Sequence, residues 1–294
     1  MIRFLGYIRY WFHYLLPKKL LTVAAGCLAN VKDREIKNTL IRLFIRMFNV
    51  NMAEACLEKP EDYASFNAFF IRHLKPACRP IATADIISPV DGYVSEVGRI
   101  ESGQLLQAKG KYYTVQQLLA CGKSQAKLFN KGHFATLYLS PADYHRIHMP
   151  ITGQLQSMTY VPGKLFSVQP AATTFIPNLF AINERLVVYF ETDVGLMAMV
   201  LVGATIVGAI ATSWHGELKR RSKQRHFSYT EGDGIETLLK QAKEMGYFKL
   251  GSTVILLFAE GKDIQWEPEI KAAAKIKFGQ ALAHVGSGLS HRKL

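Results

Sequence analysis

Cysteine is scarce and scattered in this sequence: Cys27, Cys56, Cys78 and Cys121 stand far apart, with no C-x-x-C pair. Such thiols support neither a disulfide framework nor a zinc site, and they fit a reducing compartment. Each is expected to be a small buried hydrophobe. Acidic residues are also few, 23 against 36 Lys and Arg, which leaves a formal charge of +13. A surplus of that size points to an anionic partner: nucleic acid, a membrane surface or an acidic substrate. No basic-aromatic nucleic-acid module is present, so the first of these is disfavoured. Internal repeats and low-complexity tracts are missing, and a hydrophobic share of 49% rules out a disordered chain. A convincing membrane span is missing too. The apolar stretch 194–211 has the minimum length, but Gly195, Gly203 and Gly208 and the β-branched Val200, Val202, Thr205, Ile206 and Val207 make it two buried strands bent at glycine. Arg9 and Pro17-Lys18-Lys19 interrupt any signal-peptide core. No G-x-S-x-G elbow occurs, which disfavours an α/β hydrolase.

What is present begins with helical spacing. Over 2–16, Phe4, Leu5, Ile8, Trp11, Phe12, Leu15 and Leu16 share one face, and Arg3, Arg9 and His13 lie on the other. A second helix, about 32–49, carries Ile36, Leu40, Leu43, Phe44, Met47 and Phe48, with Lys37, Arg42 and Arg46 on its polar side. Nine Lys and Arg against two acids in the first 50 residues make these basic amphipathic helices suited to a membrane interface. From about residue 85, short apolar segments such as Gly92–Val94, Phe134–Leu139, Leu186–Phe190 and Thr253–Phe258 alternate with Gly, Pro and Asn. That pattern reads as a mostly antiparallel β domain, with helical inserts at 114–121 and 234–246. The basic run 219–225 reads as an exposed loop.

Three segments carry chemistry. Ser252 follows Gly251 and opens the run Thr253–Phe258. A serine at a glycine junction, at the mouth of a buried strand, can attack the peptide bond in front of it and so become the precursor of a prosthetic group. The segment 140–150 holds His145 and His148 between Pro141 and Pro150, a constrained loop rather than a helix interior. Two histidines three apart can be metal ligands, proton carriers or core residues; no nearby cluster supplies the further ligands a metal needs, so no metal is expected and the other two readings stay open. Asp91, before Gly92, is either a turn residue or an acid that orients a histidine, with Asp143 a local competitor. The Asp–His–Ser order is compatible with a serine hydrolase but is weak evidence for one, and a non-enzymatic basic protein that binds membranes or nucleic acid ranks last.

In their order and context, these motifs resemble those of the pyruvoyl-dependent phosphatidylserine decarboxylases of the bacterial and mitochondrial type. The matching segments are SPVDGYV (88–94), QAKGKYYTVQQLL (107–119), YLSPADYHRIHMP (138–150), YVPGKLFSV (160–168), NLFAINERLV (178–187), LVGATIVGAI (201–210) and EMGYFKLGSTVILLF (244–258). The resemblance implies an α+β chain: a membrane-associating amphipathic helical segment, 1–55, then a catalytic domain, 56–294, built as a mostly antiparallel β barrel or sandwich. It implies a relay of Asp91, His148 and Ser252 that cuts the chain between Gly251 and Ser252 into a β chain, 1–251, and an α chain, 252–294. Ser252 becomes a covalent pyruvoyl group, with no metal and no pyridoxal phosphate, and takes up the amine of phosphatidylserine as a Schiff base. His145 positions the substrate carboxylate or manages the proton returned to the α-carbon. The implied partners are phosphatidylserine in an anionic membrane and the two chains of one precursor, with a homodimer allowed and no nucleic acid. The implied location is peripheral, on the cytoplasmic face of the cell membrane.

Overall fold

Antiparallel pairing organises the β-rich part of the chain, because the apolar segments are short and separated by tight turns. The computed structural model describes residues 18–204, 209–218, 220–230, 234–249 and 251–286. The helical reading of 2–16 lies outside these residues. Nine strands form the main sheet. In spatial order, eight of them are Arg225–Ser228, Gly153–Val161, Arg185–Thr192, Gly195–Val202, Ser252–Phe258, His133–Leu139, Gly92–Arg99 and Lys275–Ile276, and Leu238–Leu239 adds to the outer edge of Gly153–Val161. The strand Ser252–Phe258 is central. It pairs with His133–Leu139 on one side and Gly195–Val202 on the other, and all seven of its residues are buried.

Both faces of this sheet are covered, which is why its strands read as continuous apolar runs. Val254, Leu256 and Phe258 point into one cluster with Leu137, Met199 and Val188, while Ile255 and Leu257 point into the other with Val187, Val200 and Phe180. The first face packs on a four-stranded sheet, ordered Gly216–Leu218, Ala209–Thr212, Glu244–Lys249, Arg146–His148, through Ile210, Phe248 and Ile147. A three-stranded sheet of Ile86–Ile87, Ala281–Val285 and Ile264–Trp266 completes it. Among the described residues the layers stack like a sandwich, and no closed barrel forms. Val254 to Phe258 are five large apolar side chains, each worth about 1.5–3 kcal/mol when buried, or roughly 10 kcal/mol together.

The helix Arg34–Phe48 starts where Asp33 accepts a bond from the Ile36 N–H, and it ends at Asn49 in the left-handed conformation. Its Ile41 packs with Val50, Tyr63, Phe66, Phe69 and Phe70, so one small core runs across residue 55. Ile36, Leu43 and Met47 face outward, about half exposed or more. Lys37 departs from the sequence reading. It is buried, and its Nζ donates to Asn38 Oδ1 at 2.6 Å and to the Pro60 and Glu61 carbonyls. A further helix, Lys18–Ala29, precedes this one. None of the described helices is long and apolar enough to cross a membrane.

Two other expectations are corrected. The helical insert at 114–121 is present as Val115–Leu119, closed by a capping box between Thr114 and Gln117, but 234–246 is not a helix. Leu238–Leu239 pairs with Gly153 and Gln154, Ala242 turns with φ of 65°, and Glu244–Lys249 joins the second sheet. Strand partners outweigh the local helical spacing there. The cysteines are not buried: Cys27 and Cys56 are exposed, and Cys78 and Cys121 are half-buried. Cys27 sits on the outer side of a helix, and Cys56 and Cys78 sit in or beside short 3-10 turns rather than on strands. Residues 220–226 are exposed, as the basic run suggests.

Candidate active site

Two chain segments leave the main sheet side by side. Ser252 pairs with Leu139, and a few residues away Phe248 donates its N–H to the His145 carbonyl while Tyr247 pairs with Arg146. The Gly251–Ser252 bond therefore faces the loop 140–148 at the corner between two sheets. Gly92 lies on the far side of the same strand end. It takes φ of +151°, and a Cβ there would sit 2.1 Å from the Tyr138 carbonyl oxygen. Only glycine allows this approach, and it delivers Asp91 to the corner. The His148 N–H completes the frame by donating to the Pro89 carbonyl at 2.9 Å.

Ser252 is fully buried, and among the described residues its Oγ has no hydrogen-bond partner. An unpaired buried hydroxyl costs about 1–3 kcal/mol, a cost that Thr253 Oγ1 beside it also carries among the described residues. Gly251, in front of it, has φ of +42° with nothing within 4 Å of a would-be Cβ. The backbone at the junction is thus left-handed, with open space beside it.

The two histidines are fixed as opposite tautomers. A carbonyl can only accept, so the contact of His148 Nδ1 with the Ala242 oxygen at 2.9 Å puts the proton on Nδ1 and the lone pair on Nε2. The Tyr144 hydroxyl donates to that lone pair at 3.1 Å. The His148 ring stacks on Phe278, with centroids 3.7 Å apart and planes 16° apart. Burial holds its pKa below the ordinary histidine value. His145 is fully buried, its Nε2 donates to the Ser140 carbonyl at 3.0 Å, and its Nδ1 lone pair has no partner among the described residues. Its ring lies over Phe70 at 4.1 Å. Burial, aided by the Arg72 charge, pushes its pKa down to about 3, so it is neutral at physiological pH.

Asp91 is buried and clamped. It accepts from Arg79 Nε at 2.9 Å and Arg79 Nη2 at 2.5 Å, and from the Phe278 N–H at 2.8 Å. Arg79 also binds Glu54 at 2.7 Å. Among the described residues no hydrogen bond joins Asp91 to His148, and none joins His148 to Ser252. The sequence brings all of its candidate residues to one corner, but the contacts of a closed triad are absent in this arrangement. Asp143, the competitor acid, instead accepts from the Ser140 N–H at 2.7 Å and shapes the loop. Arg79, Tyr144 and Phe278 join the site through the fold. Tyr144 lies within the histidine motif, whereas nothing local marks Arg79 or Phe278.

A buried hydroxyl without a hydrogen-bond partner among the described residues, two imidazoles with defined lone pairs and a clamped carboxylate stand near one corner, and the chain is of the enzyme class. The family model described as Phosphatidylserine decarboxylase matches residues 66–284, and a second, described as PSD, matches 8–49. A phosphatidylserine decarboxylase proenzyme of Legionella pneumophila (strain Lens) is 60% identical over 92% of this chain and 95% of the relative. Proenzymes of the same name from Acidovorax ebreus and Idiomarina loihiensis are 49% identical over 92% of the chain and 44% identical over 95%. The chain belongs to the phosphatidylserine decarboxylase family and is a carboxy-lyase.

Proposed function

We propose that the chain cuts itself between Gly251 and Ser252, into a β chain, 1–251, and an α chain, 252–294, with Ser252 converted to a pyruvoyl group. On this reading the mature pair decarboxylates phosphatidylserine to phosphatidylethanolamine at the surface of an anionic membrane. The observation that carries the reading is the buried, partnerless Ser252 Oγ behind a left-handed glycine. His148 Nε2 is the base that takes the Ser252 proton. The freed oxygen attacks the Gly251 carbonyl carbon. The amide C–N bond breaks as the ester C–O bond forms, and the residue 252 nitrogen takes up a proton. Loss of the residue 252 α-proton then expels the Gly251 carboxylate, and hydrolysis of the resulting dehydroalanine releases ammonia and leaves a ketone.

Closing this relay requires movement within the 140–148 loop, since Tyr144 caps the base in the present arrangement. The Ala242 carbonyl fixes the tautomer, a role the sequence reading gave to Asp91. Asp91 acts through space, its negative charge favouring the imidazolium that forms. The corner fits a pyruvoyl group because the residue 252 side chain competes with no existing hydrogen bond. That group supplies an electron sink for the charge left when carbon dioxide departs. His145 offers a lone pair, not a donor, at Nδ1, so it suits handling the proton of the α-carbon and does not suit anchoring a carboxylate. Strand Thr253–Phe258 is buried too thoroughly for the α chain to leave. Trapping by borohydride plus substrate, or by hydroxylamine, with indifference to fluorophosphonates, is the expected reagent profile. Inactivation by a fluorophosphonate alone would instead indicate a serine hydrolase.

The membrane part of the reading is supported by the outward stripe of Ile36, Leu43 and Met47 next to exposed Arg34 and Arg46. Replacing those three apolar residues by serine should weaken sedimentation with phosphatidylglycerol vesicles by at least about tenfold, given roughly 1.5–3 kcal/mol per apolar side chain removed from water. Folding should be unaffected, because all three are exposed. Unchanged sedimentation would remove this helix from the interface.

A further inference from the structure

Phe278 touches two of the relay residues in two different ways. Its backbone N–H donates to Asp91 Oδ1 at 2.8 Å, and its ring stacks on the His148 imidazole at 3.7 Å and 16°. Among the described residues no comparably parallel contact holds that ring: Tyr144 lies 5.7 Å away at 28° and works through its hydroxyl. The segment around Phe278 is pinned to the Asp91 turn. The Ser88 N–H donates to the Gln280 carbonyl, the Gly279 N–H donates to the Ser88 carbonyl, and Ile276 pairs with Gly92. Two hydrogen bonds, from Nδ1 to Ala242 and to Nε2 from Tyr144, set the direction of the imidazole axis, but they leave the ring free to tilt about it. A flat face at stacking distance removes that tilt.

We propose that Phe278 is a positioning residue for self-cleavage, holding the plane of the His148 base with its ring and the place of the Asp91 carboxylate with its backbone. The inference rests on the reading of His148 as the base. It has a consequence for assembly. Phe278 lies in the 252–294 piece, whereas Asp91 and His148 lie in 1–251, so the shorter piece completes the geometry of the longer one before and after the cut.

The test uses the full-length precursor made by cell-free synthesis, with cleavage followed on denaturing gels across a range of pH. Phe278→Leu keeps the backbone donor and removes the flat face, and Phe278→Tyr keeps both. Misplacing a reacting group by about 1 Å costs on the order of a hundredfold, so Phe278→Leu should cut at least about tenfold more slowly. Phe278→Tyr should stay within about threefold of wild type. The pH profile should move as well. The charged groups near the ring are Asp91 from the turn, Arg146 beside it in sequence, and Glu244, which is paired to Arg146 at 2.6 Å. None of them changes in the variants. Burial keeps the imidazole neutral, and removing the phenyl face admits water and lets the charged form persist to higher pH. Cleavage needs the neutral form, so the acid limb of the Phe278→Leu profile should shift upward in pH.

A Phe278→Leu rate within about twofold of wild type would overturn the proposal. So would slowing by the same factor at every pH, or a Phe278→Tyr variant as slow as the leucine one, since each would indicate packing alone. A His148→Ala variant run alongside separates the two levels: normal cleavage there would defeat the base reading itself, whereas blocked cleavage with a fully active Phe278→Leu would defeat only the role of Phe278.

Discussion

Ser252→Ala stays a single full-length band on a denaturing gel and has no detectable decarboxylase activity, while the wild type resolves into 1–251 and 252–294. The effect is complete rather than partial, because the variant removes both the attacking oxygen and the side chain that becomes the ketone. A second readout comes from the same site. The Ser252 hydroxyl is buried without a partner among the described residues, so its removal relieves an unmet hydrogen-bonding need worth about 1–3 kcal/mol. The uncut Ser252→Ala chain should therefore unfold at a temperature no lower than that of uncut wild-type precursor. A hydroxyl with a structural role would give the opposite sign. Thermal unfolding of the two precursors, measured before the wild type matures, distinguishes these outcomes.

His145→Gln is expected to cut normally and to lose decarboxylation by about 10²–10⁴-fold, the range typical of removing one proton-transfer group. Glutamine can keep a donor to the Ser140 carbonyl, so the loop should hold its shape. What it lacks is the basic Nδ1 nitrogen, which has no partner among the described residues. With a pKa near 3, His145 stays neutral across the working range. Its titration should therefore not shape the wild-type pH profile above about pH 4. Loss of cleavage in His145→Gln would move this histidine into the self-cutting step. Full activity would remove it from the chemistry.

The legible part of the fold was the part that sequence spacing controls. The helix Arg34–Phe48 and the strands Gly92–Arg99, His133–Leu139, Arg185–Thr192 and Ser252–Phe258 lie where the periodicity places them. Segment 234–246 is not legible as strand because its pairing depends on partners at Gly153 and Thr212, far away in the chain. Helical spacing puts Lys37 on a solvent face because it says nothing of the Pro60 and Glu61 carbonyls that hold it. The site divides in the same way. Asp91, His145, His148 and Ser252 stand in dense local motifs, and the fold brings them to one corner. Their partners were illegible: Arg79 and Phe278 come from other segments, and the Ala242 contact is a backbone carbonyl with no side-chain signature. The relay implied by the resemblance has Asp91 orient His148, whereas in this arrangement the His148 Nδ1 contact is with the Ala242 carbonyl.

The central claim is that the Gly251–Ser252 bond breaks unaided and leaves a keto group on the shorter piece. The intact mass of the C-terminal fragment from purified, active protein tests this most directly. The account predicts a fragment running from residue 252 to 294 that is lighter by one ammonia than the same peptide beginning with serine. A fragment carrying an unmodified serine at its start, in a preparation that still decarboxylates phosphatidylserine, would contradict it.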